Sequence, residues 1–298
     1  MAKQTINIGA SPNDGTGTPL RTSFDYTNQN FTELYTALGG GVGLPGATTQ
    51  VIFNDGGTNL AGDAGLVYNK TTDKLTVGTN IDIWRGLLND GTSTGVGATA
   101  LAATTAGATG NTALGYQAMY RATTGANNVA VGINSLSAAS MTGSGNVAIG
   151  QLAASALTTG SSNVFIGDTV AFNSAITASD CIAIGQNSMR SASAISGASN
   201  IGLGKDTFRN LTSGANNIAI GQSALNLLAS GSANIAIGAN ALDKSTVSDL
   251  VAIGQSALAL NTIGVSNTAV GRSALASNVS GGNSTAIGYQ TLQIATGS

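Results

Sequence analysis

The sequence predicts an all-β chain dominated by a parallel β-solenoid, or β-roll, of about twelve 17-residue units, preceded by a short helix and a small β-rich module. Three observations carry this. First, a unit reading Asn-x-Ala-Ile-Gly-x-x-Ala-Leu recurs from Gly97 onward, with its glycine at Gly97, Gly115, Gly132, Gly150, Gly167, Gly185, Gly204, Gly221, Gly238, Gly254, Gly271 and Gly288. Successive glycines are sixteen to nineteen positions apart, and the eleven steps from Gly97 to Gly288 average 17.4. A unit of that length cannot bury its own apolar face, but a stack of such units can. Second, the columns around the glycine are regular. The residue one before it is always aliphatic, the residue three before is always β-branched, and Ala sits between them in nine units of twelve. That triplet has the period of a short strand, with its large side chains on one face and a tiny one on the other. The Ala face then implies a close neighbour, either another coil or another chain. Third, charged residues make up only 8% of the chain, against ~25% in ordinary domains. From Gly97 onward there are five acids and six bases; like charges stacked every ~4.8 Å would repel.

Residues 1–41 form the first segment. Thr18-Pro19 reads as a helix N-cap followed by proline at the first helical position. Leu20, Phe24, Thr27, Phe31, Leu34 and Leu38 then alternate spacings of four and three, and Gly39-Gly40-Gly41 ends the pattern. This seam suits either a coiled-coil bundle or an amphipathic helix packed on its own domain. Residues 42–96 form the second segment. Gln50-Val51-Ile52-Phe53, a turn at Asp55-Gly56, and Gly65-Leu66-Val67-Tyr68 predict a hairpin, and Asp73-Lys74-Leu75-Thr76-Val77 a further strand. Residues 81–89, with the lone Trp84, form the junction into the array of residues 97–298. Within each unit two short strands and two turns are expected, the turns built from runs such as Thr124-Gly125-Ala126-Asn127. All three prolines, Pro12, Pro19 and Pro45, precede the array, where none breaks a ladder.

Composition also narrows the chemistry. Histidine is absent and cysteine occurs once, at Cys181, so His-activated nucleophiles, disulfide frameworks and all-thiolate metal sites have no residues to use. Neither cofactor nor metal is expected. The net charge of −2, without a basic cluster, gives no footprint for nucleic acid. No apolar run approaches the roughly 20 residues that a membrane-spanning helix needs, so no membrane insertion is expected. The N-terminus lacks the apolar core of a secretory signal. Gly202-Leu203-Gly204-Lys205-Asp206-Thr207 imitates a phosphate loop but has Ser199 where its first glycine belongs. Gly221-Gln222-Ser223 and Gly254-Gln255-Ser256 imitate a nucleophile elbow without its second glycine. Asp14 and Asp55 read as turn formers, and Asp168, Asp180, Asp206, Asp243 and Asp249 as solitary carboxylates in different repeat columns. No catalytic residue is assigned. Asn111, Asn128, Asn146, Asn163, Asn200, Asn217, Asn234 and Asn267 recur four before the glycine and predict a stacked amide ladder rather than a glycan-binding face. Cys181 and Leu250 replace Asn in that column, and Cys181 reads as an inert buried thiol.

Several of these residues carry a family resemblance. Asn7-Ile8-Gly9, Ser11–Gly17, Pro19-Leu20-Arg21 and Asn28–Tyr35 resemble the N-terminal segment of bacteriophage fibre and appendage proteins. The run from Phe53-Asn54-Asp55-Gly56-Gly57 to Leu75-Thr76-Val77 is similar to a module of phage tail-fibre proteins. The array resembles the repeats of those fibres and, more distantly, the heads of trimeric autotransporter adhesins, although no signal or membrane anchor accompanies it. The resemblance implies a homotrimeric virion fibre of the head, neck or tail, made in the host cytoplasm. It would bind other virion proteins through residues 1–41 and meet a host surface glycan or protein as receptor. Such fibres often carry a C-terminal chaperone. None follows the last repeat here, which fits its removal, a shortened chain, or a separate capping protein. The alternative expectation is a fibre-borne carbohydrate-degrading enzyme with a carboxylate pair formed between chains. An ice-binding solenoid ranks last, because the threonines drift between columns.

Overall fold

The computed structural model describes residues 92–102, 107–172 and 175–293 in full, the backbone of four strands between residues 49 and 84, and the isolated Gly15 and Thr27. The predicted helix of residues 18–38 lies outside the described residues except for Thr27, which is helical. The chain divides into two compact units, residues 1–70 and 71–298. In the first, β1 (Thr49–Phe53) and β2 (Ala61–Asn69) pair antiparallel, Thr49 opposite Tyr68 and Phe53 opposite Ala61, with a register shift between Gln50 and Ile52. The two strands pair antiparallel as expected, and the predicted turn at Asp55-Gly56 lies outside the described residues.

The second unit opens with β3 (Lys74–Val77) and β4 (Ile81–Trp84), also antiparallel. Strand β4 then lies antiparallel to β5 (Thr94–Val96), with Trp84 opposite Gly95. From β5 to β16 (Thr285–Ile287), twelve three-residue strands stack in parallel and in register, one per coil. Ile218, Ala219 and Ile220, for example, lie opposite Ile235, Ala236 and Ile237. The molecule's dominant feature is thus the predicted β-solenoid. Its eleven steps at ~4.8 Å give about 50 Å of stacked strands.

The structure differs from expectation on the far side of each coil. A second strand was expected there, but only isolated bridges form: Ala122 with Met141, Leu157 with Ile176, and Ile176 with Ile195. The cause is the turn after the repeat glycine. The residues two and four beyond it take left-handed φ in every coil, as at Ser223 (57°) and Leu225 (50°). Left-handed backbone costs roughly 1–2 kcal/mol per ordinary residue, and hydrogen bonds to neighbouring coils offset that cost. The Ser223 N–H donates back to the Lys205 carbonyl and the Leu225 N–H forward to that of Ala241. The chain folds inward at these points and has too little extended backbone left for a second ladder.

The core is a column of opposed side chains inside each coil. The middle residue of the triplet points inward, as at Ala219 and Ala236, and meets the apolar residue four past the glycine, as at Leu225 and Leu242; all four are fully buried. Their sizes compensate. Where the triplet centre is Gly202, the opposing residue is Phe208, and a Cβ on Gly202 would lie 3.0 Å from the Phe208 ring. Where it is Phe165, the coil carries Ala171 opposite it, and both are fully buried. In these two coils a large residue stands against a small one, the compensation that close packing favours.

Candidate functional site

Because the triplet centres face inward, the flanking positions face out, which fixes the chemistry of the outer sheet face. The position one before the glycine runs Val96, Leu114, Val131, Ile149, Ile166, Ile184, Leu203, Ile220, Ile237, Ile253, Val270, Ile287. All are half-buried or exposed, Leu114 by 47% and Ile184 by 39%. The position three before adds a second column, Val and Ile through the middle and Thr at both ends. The result is one aliphatic ladder continuous through twelve rungs, flanked by a second that is aliphatic from Val129 to Val251 and threonine beyond. The small-residue column was expected to meet either another coil or another chain; the structure shows that it is sealed inside the solenoid. The large aliphatics are the outward surface, because the turn past each glycine swings the leucine column under the alanines.

The asparagine ladder forms as predicted, and every member is fully buried. The Asn128 side-chain oxygen accepts from the backbone N–H of Asn146 at 2.8 Å and from its amide at 3.0 Å. The Asn128 amide donates to the Gly143 carbonyl of the next coil at 3.0 Å. The same pattern links Asn200, Asn217 and Asn234. It closes onto Cys181 and Leu250, whose backbone N–H groups donate to Asn163 and Asn234. The amides serve the backbone and none is offered to a ligand. Cys181 lies in this column, fully buried; burial raises its thiol above the usual range. Its sulfur reaches the carbonyl of Gly197 at 3.6 Å, the direction an asparagine amide would take.

The residues that imitate catalytic motifs take structural places. Gly202 is a triplet centre facing Phe208, with no open cradle before it. Ser223 and Ser256 are left-handed turn residues bonded through their N–H groups to the preceding coil. The Asp206 carboxylate accepts from the Asn187 amide at 3.1 Å, and Asp168 from Gln186 at 3.4 Å. Asp180 and Asp249, expected in different columns, share one: both lie five before a repeat glycine and have left-handed φ. They are four coils apart, so the shared column does not bring them together. Among the described residues no group of three or more His, Cys, Asp or Glu side chains gathers as a metal site, and no helix is long and apolar enough to cross a membrane. Asp14 and Asp55 lie outside the described residues.

Sequence reasoning missed one grouping. Arg190 and Arg209 both lie five past a repeat glycine, in the successive coils of Gly185 and Gly204, which the longest interval of the array separates. That shared offset was the available signal. Comparison with protein-family models, with curated proteins and with solved structures returns no match.

Proposed function

We propose that the protein is a structural, non-enzymatic fibre component of a bacteriophage particle, a homotrimer carried in the virion. Residues 1–41 attach it to other virion proteins, and the solenoid serves as a rigid spacer and adhesive rod for host attachment. The observation that favours a self-associating rod is the aliphatic ladder. Parallel sheets are stable almost only with both faces covered, and this sheet covers one face with its own coil and leaves the other apolar. A cover that fits twelve rungs must repeat at the same rise, and a further copy of the chain does so by construction. Contiguous apolar surface of this kind marks association in a water-soluble protein.

The mass of the purified chain in solution tests the reading. Light scattering should give three times 29.2 kDa, or 87.6 kDa. A value of 29.2 kDa, or the absence of the chain from purified particles, overturns it.

A further inference from the structure

We propose that the turn side of the coils around Gly185, Gly204 and Gly221 is a binding site for an acidic sugar, a ring bearing both hydroxyls and a carboxylate. A cavity of about 350 Å³ opens there, lined by Arg190, Ala192, Arg209, Asn210, Asn226 and Leu227. The long interval between Gly185 and Gly204 makes it, since the surplus chain after Met189 carries Ala192 outward as a wall. Arg190, Arg209 and Asn226 hold the same offset in three successive coils, so two guanidiniums and an amide stand on neighbouring rungs, ~4.8 Å apart at the backbone.

Two like charges on adjacent rungs repel, and the cavity lining contains no carboxylate to balance them. Arg190 is held from outside the cavity. Its guanidinium lies 5.7 Å from the centre of the Phe172 ring and donates to the Asn187 side-chain oxygen at 3.2 Å. That oxygen also accepts from the Thr169 hydroxyl, while the Asn187 amide donates to Asp206. The ring and the amide fix the direction of Arg190. Arg209 is exposed and has no hydrogen-bond or ion-pair partner among the described residues. One oriented and one free guanidinium suit the two oxygens of a carboxylate, which arginine binds in paired hydrogen bonds.

The remaining lining separates a sugar acid from a bare anion. Asn210 and Asn226 also line it, and asparagine amides can both donate and accept, the pairing a sugar hydroxyl needs. Leu227, 39% exposed, and Ala192 supply an apolar patch for the C–H face of a ring. The site is an open groove that can seat one face of a sugar ring and would leave an inorganic ion largely in water. The site gives the adhesive rod its receptor chemistry and rests on that reading for its biological setting.

The test uses the full chain, with binding and solution mass measured on the same samples at low salt. Trigalacturonate, maltotriose and inorganic phosphate are titrated by calorimetry. Trigalacturonate should saturate at one site per chain and bind at least about tenfold more tightly than either comparison ligand. Arg209→Gln and Leu227→Glu, both at exposed positions, should each weaken it by about tenfold or more, while Arg272→Gln on another coil leaves it unchanged. Loss of uronate discrimination against phosphate, binding that both variants retain, or no saturable binding overturns the site. A trimer that fails to bind refutes the site alone, whereas a monomer that binds refutes the fibre reading alone.

Discussion

At Gly221 the backbone φ is 120°, and a Cβ added there would lie 2.7 and 2.8 Å from the carbonyl carbon and oxygen of Gly238 in the next coil. Conformation and space therefore exclude a side chain separately. All twelve repeat glycines share this φ, between 120° and 144°, but Gly288 has no coil above it among the described residues and meets only Thr291 at 3.1 Å. Gly221→Ala should cost ~3 kcal/mol or more. Gly288→Ala should keep the strain and lose the clash, so denaturant midpoints should place it clearly nearer the parent. Cys181 gives a second residue-scale expectation. Burial holds its thiol above the value it has in the unfolded chain, so the neutral form is preferred in the fold. That stabilisation is complete below the unfolded thiol's range and is lost as pH rises through the folded value. Stability should therefore fall on the alkaline side, and Cys181→Ala should flatten the fall; parallel slopes for the two proteins would refute it. The neutral buried thiol should also react with disulfide reagents only at the rate of opening.

Within a coil, the elements compensate one another. Leu250 breaks the amide ladder, and the Gly264 carbonyl that an asparagine there would reach is met instead by the Asn261 amide, at 2.8 Å. Equivalent coils place Leu211 and Leu228 at the Asn261 position, fully buried. The exchange is incomplete, because the buried Asn261 side-chain oxygen has no partner. Asn261→Leu alone should cost ~1–3 kcal/mol by orphaning a buried carbonyl. With Leu250→Asn added, the ladder should take that carbonyl back and recover most of the loss. Additive effects in the double-mutant cycle would refute the coupling. The same coils show how far the sequence could be read. The strand triplets, the ladder of Asn111 to Asn267 and the antiparallel pairing of β1 with β2 were legible because each depends on residues at fixed spacing. The inward direction of Ala219 was not, since a period of two tells faces apart without saying which is inside. The missing second strand was hidden too: left-handed φ at Leu225 and Leu242 is set by inter-coil hydrogen bonds, and leucine gives no local sign of it.

Across the whole array, the two long sides of the coil have divided their tasks. The strand side is regular, with three-residue strands in register from Thr94 to Ile287, and it is the side proposed to meet other copies. One charge in its middle tests that assignment. Ile237→Glu should lower the solution mass from trimer to monomer without abolishing the β spectrum, because Ile237 is only half-buried within its own chain; an unchanged mass would move the interface elsewhere. The turn side is irregular, and the unequal lengths of the coils are absorbed there while strand pairing continues without a shift. A gene built this way has two independent ways to change. Recombination between repeats adds or removes whole coils and alters reach in steps of ~4.8 Å. Insertions on the turn side alter what is displayed at one height and leave every other height where it was.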